Sequence, residues 1–413
     1  MVPKGWDVCS LSDIALVTSG GTPSRTKSEY WDNGTIPWIR TTEVQNCILY
    51  PQDTQEYISE QGLKNSSAKI LPAGTVLLAM IGQGKTRGQV ALLKFEATTN
   101  QNSAAIIFND DQEPEFHFNF LLSQYENIRG MSNSAGQSNL SGALVKAISV
   151  PVPPLSEQKK IAQILSTWDK AITTSEQLLA NSQQQKKALM QQVLTGKRRL
   201  LDKNGVRFSG EWKDLPLHKM AEVIVSPVDK KTELNEIPVE LCNYTDVYYN
   251  HQITRNITFM KASATKSEIA KYTLLQGDVI ITKDSETPGD IAVPALVSED
   301  LKGVVCGYHL AIVRPNIEFL NGAFLNYLFS MQSTRYYFFT LATGATRFGL
   351  SVGGINRAHF RVPEVAEQQK IAAVLSIADQ EITALQQKLA ALKKEKKALM
   401  QQLLTGKRRV LVS

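Results

Sequence analysis

Residues 157–200 read EQKKIAQILSTWDKAITTSEQLLANSQQQKKALMQQVLTGKRRL, and residues 367–410 read EQQKIAAVLSIADQEITALQQKLAALKKEKKALMQQLLTGKRRV. The offset is a constant 210, no gap is needed, and 26 of the 44 positions are identical. An internal repeat of this length outranks any local signal, because it makes the chain two copies of one unit, each closing in the same long segment.

Both segments read as helices. Apolar residues recur at the spacing of a heptad seam. In the second copy the seam runs Ile371, Leu375, Ala378, Ile382, Leu385, Leu389, Leu392, Lys396, Leu399 and Leu403, interrupted only by the lysine. In the first it runs Ile161, Leu165, Trp168, Ile172, Ser175, Leu179, Ser182, Lys186, Leu189 and Val193, with three polar interruptions. Neither stretch holds an internal Pro or Gly before Gly196 and Gly406, and good helix formers fill the rest. Ser156 is placed to cap the first helix, with Glu157 in its first turn. Gly196 and Gly406 stand where a helix ends in a left-handed residue, each followed by Lys-Arg-Arg. About 40 residues at roughly 1.5 Å each make a rod of about 60 Å. A one-sided seam of that length needs a partner. The economical one is the other copy in the same chain, as an intramolecular antiparallel coiled coil; the alternative is a helix of another chain.

The rest of the composition narrows the class. With 413 residues, 43% apolar and 20% charged, the chain has room for two or more domains with sizeable cores. A net charge of +6 and a pI near 8.9 permit a polyanionic partner without requiring one. Cys9, Cys47, Cys242 and Cys306 are far apart, so neither a disulfide framework nor a zinc site is expected, and no other metal site is indicated. The absence of a signal-like or membrane-spanning apolar run gives the expectation of a cytoplasmic protein.

Taken in order, the chain divides into four expected segments: a mixed α/β (α+β) unit over 1–155, a helical spacer over 156–200, a second globular unit over 201–366, and a second spacer over 367–413. In the first unit Ile36–Thr42, Ile70–Ile81, Val90–Phe95 and Ala104–Phe108 read as strands or turns into strands, and Phe116–Asn127 as an apolar helix. The polar stretch Ser132–Ser141 reads as a loop, and Ile148–Pro154 as an extended link. The second unit repeats the order more loosely: Trp212 parallels Trp6, Leu275–Ile281 the segment around Gly74, and Gly344–Ser351 the polar loop. The helical segments are nearly the same while the globular ones have diverged, which is what a shared scaffold carrying two different readers looks like.

No motif for catalysis emerges. Gly84-Lys85-Thr86 lacks the glycine that a phosphate loop needs five positions earlier, where Ala79 stands. Nor is there a serine-hydrolase elbow, a zinc-protease helix, a dinucleotide fingerprint or the Asn-Pro-Pro-aromatic tetrapeptide of amino-methyltransferases. Loop residues suited to DNA do occur, since Arg and Lys pair with guanine edges or phosphates and Asn and Gln with adenine. In the first unit these are Arg25, Lys27, Arg40, Thr41, Lys85, Arg87, Asn133, Gln137 and Asn139. In the second they are Lys230, Lys231, Tyr244, Tyr248, Asn250, Lys283, Arg347 and Asn356. The Lys-Arg-Arg clusters at 197–199 and 407–409 suit either DNA or the helix C-termini they follow. The polar seam positions Ser175, Ser182 and Lys186 offer a docking surface for partner helices or are tolerated solvated positions.

The order globular unit, helix, globular unit, helix resembles the specificity (S) subunit of Type I restriction–modification systems. The residues that carry it are Pro153-Pro154-Leu155-Ser156-Glu157-Gln158 with Lys160-Ile161-Ala162, and Leu194-Thr195-Gly196-Lys197-Arg198-Arg199. Their second copies are Glu367-Gln368 with Lys370-Ile371-Ala372, and Leu404-Thr405-Gly406-Lys407-Arg408-Arg409. Ile36-Pro37-Trp38-Ile39-Arg40-Thr41 also resembles a recurring segment of the family's target-recognition domains. One departure is Val362-Pro363-Glu364, which lacks the second proline of Pro153-Pro154 and puts that linker's conformation in question.

The resemblance implies a non-catalytic subunit with two target-recognition domains related by a pseudo-twofold, each reading half of a split site in double-stranded DNA, with the helices as spacer. It implies two modification (methyltransferase) subunits and two restriction subunits as partners. It places no cofactor on this chain, and S-adenosylmethionine, ATP and Mg on those partners. A coiled-coil adaptor that binds only proteins is the alternative of another class. It predicts a shallow salt dependence with DNA, where a reader of several phosphates gives a steep one.

Overall fold

The computed structural model describes residues 2–82, 84–131 and 139–411. It forms two compact units, Met1–Glu176 with Gln387–Ser413, and Gln177–Gln386. The long helices run Leu155–Val193 and Val365–Leu403. Each unit therefore holds one globular body, the first half of the helix that follows it and the last half of the other helix.

The globular bodies are built alike. In unit 1 a five-stranded sheet has the order Ala15–Ser19, Ser103–Phe108, Val76–Ala79, Val90–Leu93, Cys47–Leu49. In unit 2 the order is Ala221–Val225, Leu310–Pro315, Val279–Thr282, Pro294–Val297, Gln252–Ile253. Neighbours are antiparallel except the last pair of each sheet, which is parallel. The central strands Val76–Ala79 and Val279–Thr282 are buried along their whole length, as uninterrupted apolar runs should be. The first-listed strand of unit 1 alternates buried and exposed residues, the pattern of an edge with one wet face. Each central strand is entered through a glycine with positive φ, Gly74 at 91° and Gly277 at 95°, a turn that a side chain at Cβ would strain.

A three-stranded sheet flanks each large one: Tyr57–Ile58, Ile36–Ile39 and Thr98–Thr99 in unit 1, and Met260–Ala264, Ile237–Cys242 and Val304–Cys306 in unit 2. A two-stranded ribbon ties the start of each body to its exit, Asp7–Ser10 with Ser149–Val152 and Lys213–Pro216 with His359–Val362. The expected apolar helix over 116–127 is two shorter ones, Pro114–Ser123 and Tyr125–Gly130, because Gln124 leaves helical geometry.

The helices pair within the chain and antiparallel. In unit 1 Glu157 meets Arg409, Asp169 meets Lys396 and Glu176 meets Lys393, so numbers rise on one helix as they fall on the other. In unit 2 Lys186 meets Asp379 and Arg199 meets Glu367. Ile161, Leu165, Met400, Leu403 and Leu404 share one core with Trp6 and Phe116. Val193, Leu194, Ile371 and Leu375 share another with Trp212 and Phe324. Fully buried side chains of this size contribute about 1.5–3 kcal/mol each. The other expected seam residues, Trp168, Ile172, Leu179, Leu189, Ile382, Leu385, Leu389, Leu392 and Leu399, are half-buried.

Two details differ from the sequence expectation. The central helix begins at Leu155, so Ser156 lies inside the first turn and not at the cap. The side chain that ties this end down is Gln158, whose Nε2 donates to the Pro153 carbonyl at 2.8 Å and whose Oε1 accepts from Glu113 N at 2.8 Å. Gln368 repeats both bonds, to the Pro363 carbonyl and from Asn321 N, each at 2.8 Å. The linker with Glu364 in place of the second proline thus keeps the same helix start. Second, the polar seam residues are engaged internally: Lys186 with Asp379, Ser182 with Glu381 at 3.3 Å, and Ser175 with the Ala171 carbonyl at 2.8 Å. All three are thus engaged within the helix pair itself. Half-exposed ion pairs of this kind add little stability, but they favour one register over its neighbours.

Candidate nucleic-acid interface

The described residues singled out for DNA lie on loops and on short helices that flank the sheets of each unit. In unit 2 the chain leaves the central strand at Thr282 and enters the loop 283–291. Asp284–Ser285 then pairs antiparallel with Phe348–Gly349, and Leu350 N donates to the Lys283 carbonyl at 3.0 Å. A short helix, Tyr244–Tyr248, is capped by Asn243. Its tyrosine rings stack at 5.5 Å, with Tyr244 Oη 3.2 Å from Ser285 Oγ and Tyr248 Oη donating to Asp290 at 3.0 Å. Burial pushes the Tyr244 phenol up, and the bond to Asp290 raises Tyr248, so both rings stay protonated and neutral.

These segments enclose a cleft of about 440 Å³. Of the eight unit-2 residues singled out from the sequence, Lys230, Tyr244, Tyr248 and Arg347 line it. Lys283 is not among its lining residues and rests with Nζ on both oxygens of Asp284, which is, at 2.6 Å. Lys231 is exposed beside Asp229, and Asn250 is exposed with its amide on the Asp246 carbonyl at 2.9 Å. Asn356 is elsewhere, lining a separate cleft with His218 and Arg314. The sequence reading omits Tyr249, Asp284, Glu286, Asp290 and His309, all of which line the first cleft. Of these, Asp284 and Glu286 stand in the stretch Lys283-Asp284-Ser285-Glu286, where residue types suited to phosphates and base edges draw attention to the lysine and not to the carboxylates.

In unit 1 the corresponding loops hold a different set. Arg25 lies over the Trp31 ring, its guanidinium carbon 3.6 Å from the centroid, and bridges to Glu56 at 2.6 Å. Arg40 reaches the same Glu56 at 3.1 Å and Glu43 at 3.3 Å. Both guanidiniums are thereby fixed in position while Arg25 stays half-exposed. Thr41 is buried, its hydroxyl donating to Asn100 at 2.8 Å, which makes it framework. Lys27 is exposed and donates to Tyr30 Oη at 3.0 Å; that bond raises its pKa. Lys85 is exposed and Arg87 half-buried on the loop after the central strand. Tyr125 Oη holds that loop by donating to the Lys85 carbonyl at 2.6 Å, and Arg129 braces Tyr125 at 2.8 Å. Asn139 is exposed, next to Leu140, whose N–H bonds the Met80 carbonyl at 2.8 Å. Asn133 and Gln137 lie outside the described residues.

The Lys-Arg-Arg clusters divide between two roles. Arg199 makes two 2.6 Å bonds to the fully buried Glu367, and Arg409 pairs in the same way with Glu157. The hydrogen bonds to those carboxylates raise both guanidinium pKa values. Lys197, Arg198, Lys407 and Arg408 are exposed. Among the described residues no cluster of metal-ligating side chains forms, and no helix is long and apolar enough to cross a membrane.

The chain resembles known proteins over most of its length. Residues 3–181 and 210–394 match the family model described as the Type I restriction modification DNA specificity domain. The Type I restriction enzyme MjaIX specificity subunit of Methanocaldococcus jannaschii is 35% identical over 176 residues, 41% of this chain and 39% of that one. That alignment spans about two fifths of the relative's length. The MjaVIII specificity subunit of the same organism is 20% identical over 99% of this chain and 94% of its own. A crystal structure of a Type-I restriction-modification system S subunit from M. genitalium shares the fold, with a TM-score of 0.59 at 14% identity over 98% of this chain and 96% of that one.

Proposed function

We propose that this chain, which belongs to the Type I restriction–modification DNA specificity family and is a non-catalytic specificity subunit, reads an asymmetric, two-part sequence in double-stranded DNA. Each globular unit reads one part, and the helix pair sets the unread gap. The observation that carries this reading is the contrast between the units: one framework, with its five-stranded and three-stranded sheets in the same order, presents loops whose side chains differ. Unit 1 presents fixed arginines and an exposed lysine, and unit 2 a tyrosine-lined cleft with carboxylates inside and Lys230 and Arg347 at its border. Two frameworks of one kind, each followed by a copy of the same helix, make a two-part reader, and unlike loops make its two half-sites unlike. Exposed Lys and Arg supply the phosphate contacts that fix register, while base edges are read from the clefts.

The candidate contacts are Arg25, Lys85, Arg87 and Asn139 in unit 1, and Lys230, Tyr244, Tyr248, Lys283 and Arg347 in unit 2. In this reading the chain acts in the cytoplasm, directing two methyltransferase subunits, which bring S-adenosylmethionine to adenine, and two restriction subunits, which use ATP and Mg.

Co-expression with the candidate modification subunit in a methylation-free bacterial host, followed by long-read mapping of methylated adenine, tests it. A split motif modified in both parts, seen only on co-expression, is the expected result. No new methylation from a complex of the right stoichiometry favours the protein-only adaptor. Four residues inserted in the middle of either helix add about 6 Å and should change the gap in the motif. An unchanged gap removes the spacer role.

A further inference from the structure

In unit 2 three carboxylates line the cleft, and two of them are committed. Asp284 holds Lys283 and lies 3.3 Å from His309 Nδ1, and Asp290 accepts from Tyr248 and Thr287. Glu286 is exposed and makes no hydrogen bond or ion pair among the described residues. Its backbone is nonetheless pinned on both sides. Ser285 is buried and in the ladder with Phe348, and its Oγ accepts from Thr287 N at 3.3 Å. Beyond it, Arg335 donates through one guanidinium nitrogen to the Gly289 carbonyl at 2.6 Å and through another to the Ile291 carbonyl. The loop is thus held from the helix Gln332–Leu341, as Tyr125 and Arg129 hold the loop of unit 1.

Resting on the reading above, we propose that Glu286 is a specificity-determining residue of unit 2 that accepts a hydrogen bond from an exocyclic amino group of a base, with Arg335 as its positioning residue. A carboxylate accepts and does not donate, and it repels phosphate. In the major groove the bases offer two amino donors, cytosine N4 and adenine N6, while thymine O4 and guanine O6 turn an acceptor toward it. A carboxylate presented from a fixed loop into an open cleft therefore demands an amino base and rejects a keto base. The exposed Tyr249 ring and the Lys230 and Arg347 side chains around it provide a flat apolar wall and phosphate contacts for the same strand.

The experiment uses the full chain co-expressed with its modification subunit and compares wild type, E286Q, E286D and R335K by methylation mapping. Wild type should show a position in one half-site fixed as cytosine or adenine, and the identity found there tells the two amino sources apart. E286Q keeps an acceptor and adds a donor, so that position should relax toward guanine or thymine by roughly tenfold or more. The other half-site should keep its sequence. E286D, one methylene shorter, should weaken methylation of the whole motif and keep the amino preference. R335K should blur the same half-site with the complex recovered at wild-type yield, which distinguishes positioning from loss of fold. An unchanged motif with E286Q, or relaxation confined to the other half-site, overturns the inference. A wild-type complex without any split motif overturns instead the functional reading on which it rests.

Discussion

Unit 1 and unit 2 close their helix ends with the same group of residues, but the members are not equally placed. In unit 2 Arg199 forms a two-bond pair with Glu367, which is fully buried, and lies 5.9 Å from the Trp212 ring. Gly196, at φ 73°, brings the backbone onto that ring, so that a Cβ would meet it at 3.2 Å. In unit 1 Arg409 and Glu157 make the same pair beside Trp6, but Glu157 has a second donor, Trp6 Nε1 at 3.3 Å, and Arg409 is more exposed. Trp212 Nε1 has no partner among the described residues. One carboxylate thus depends on a single arginine, and the other shares its charge between two groups. The difference shows that a repeated motif can keep its geometry while its energetic dependence shifts from one residue to several.

The largest effect should come from breaking the stricter pair. Removing Arg199 leaves Glu367 buried without a counter-charge, a loss of about 3–5 kcal/mol for a pair of this kind. Arg199→Ala should lower the denaturation midpoint of unit 2 accordingly, measured by chemical unfolding of the whole chain with hydrogen exchange to locate the loss. Arg409→Ala should cost less, because Trp6 still donates to Glu157 and water reaches that end. Equal losses from the two variants would show that the tryptophan bond and the added exposure count for nothing.

These closures also mark the limit of what the sequence made legible. The repeat, the helices, their seam and the buried central strands could all be read, because each depends on periodicity within a few residues. Glu157 read only as a first-turn acid and Arg409 only as a cation at a helix end, since their pairing joins positions 252 residues apart. Lys186 and Lys396 read as seam breaks for the same reason: their partners Asp379 and Asp169 stand on the other helix, outside its own apolar series. In the candidate site Lys230, Tyr244, Tyr248 and Arg347 were legible as residue types, and the fold brings them into one cleft. The carboxylates between them were not, because nothing local distinguishes Glu286, which is uncommitted, from Asp290, which is held by two hydroxyls.

A second contrast lies under the first apolar helix of each body. His117 follows Phe116 as Leu325 follows Phe324, but the histidine is fully buried, stacked on Phe108 at 4.6 Å with Nε2 3.0 Å from Gln112 Oε1. Burial pushes its pKa down from 6.5 to about 3, against a smaller upward pull from Gln158. Between those values the unfolded chain binds a proton that the folded one refuses, so stability is intact above pH 6.5 and falls as pH drops toward 3. At about 1.4 kcal/mol per pH unit, unit 1 should lose about 2 kcal/mol between pH 6.5 and pH 5 through this one group. His117→Leu should abolish that share: the stability difference between wild type and variant should change by about 2 kcal/mol from pH 7 to pH 5. A difference independent of pH would mean that the imidazole charges without leaving its site.

The smallest predicted effect concerns a link found in unit 2. Asp379 takes Lys186 from the facing helix and also accepts from Tyr327 Oη at 2.7 Å, so a side chain of the globular body bonds directly into the seam pair. Burial, reinforced by the Asp379 carboxylate, pushes the Tyr327 phenol well up, and it stays a donor throughout the working pH range. Asp169, the matching residue of unit 1, has Lys396 as its hydrogen-bond partner among the described residues, and the apolar helix there offers Phe118, Asn119 and Phe120 in the corresponding turn. Tyr327→Phe keeps the ring and removes one hydrogen bond to a charged acceptor, which is about 1.5–3 kcal/mol when fully dry and about 1 kcal/mol at this half-exposed carboxylate. The link also bears on reading DNA. If the bond stiffens the joint between the globular body and the helices, Tyr327→Phe in the co-expressed complex should broaden the gap tolerated between half-sites while leaving the bases read in each half unchanged. A variant that loses the expected stability but methylates the same single-gap motif would assign Tyr327 to packing alone and leave the spacing to the helix seam.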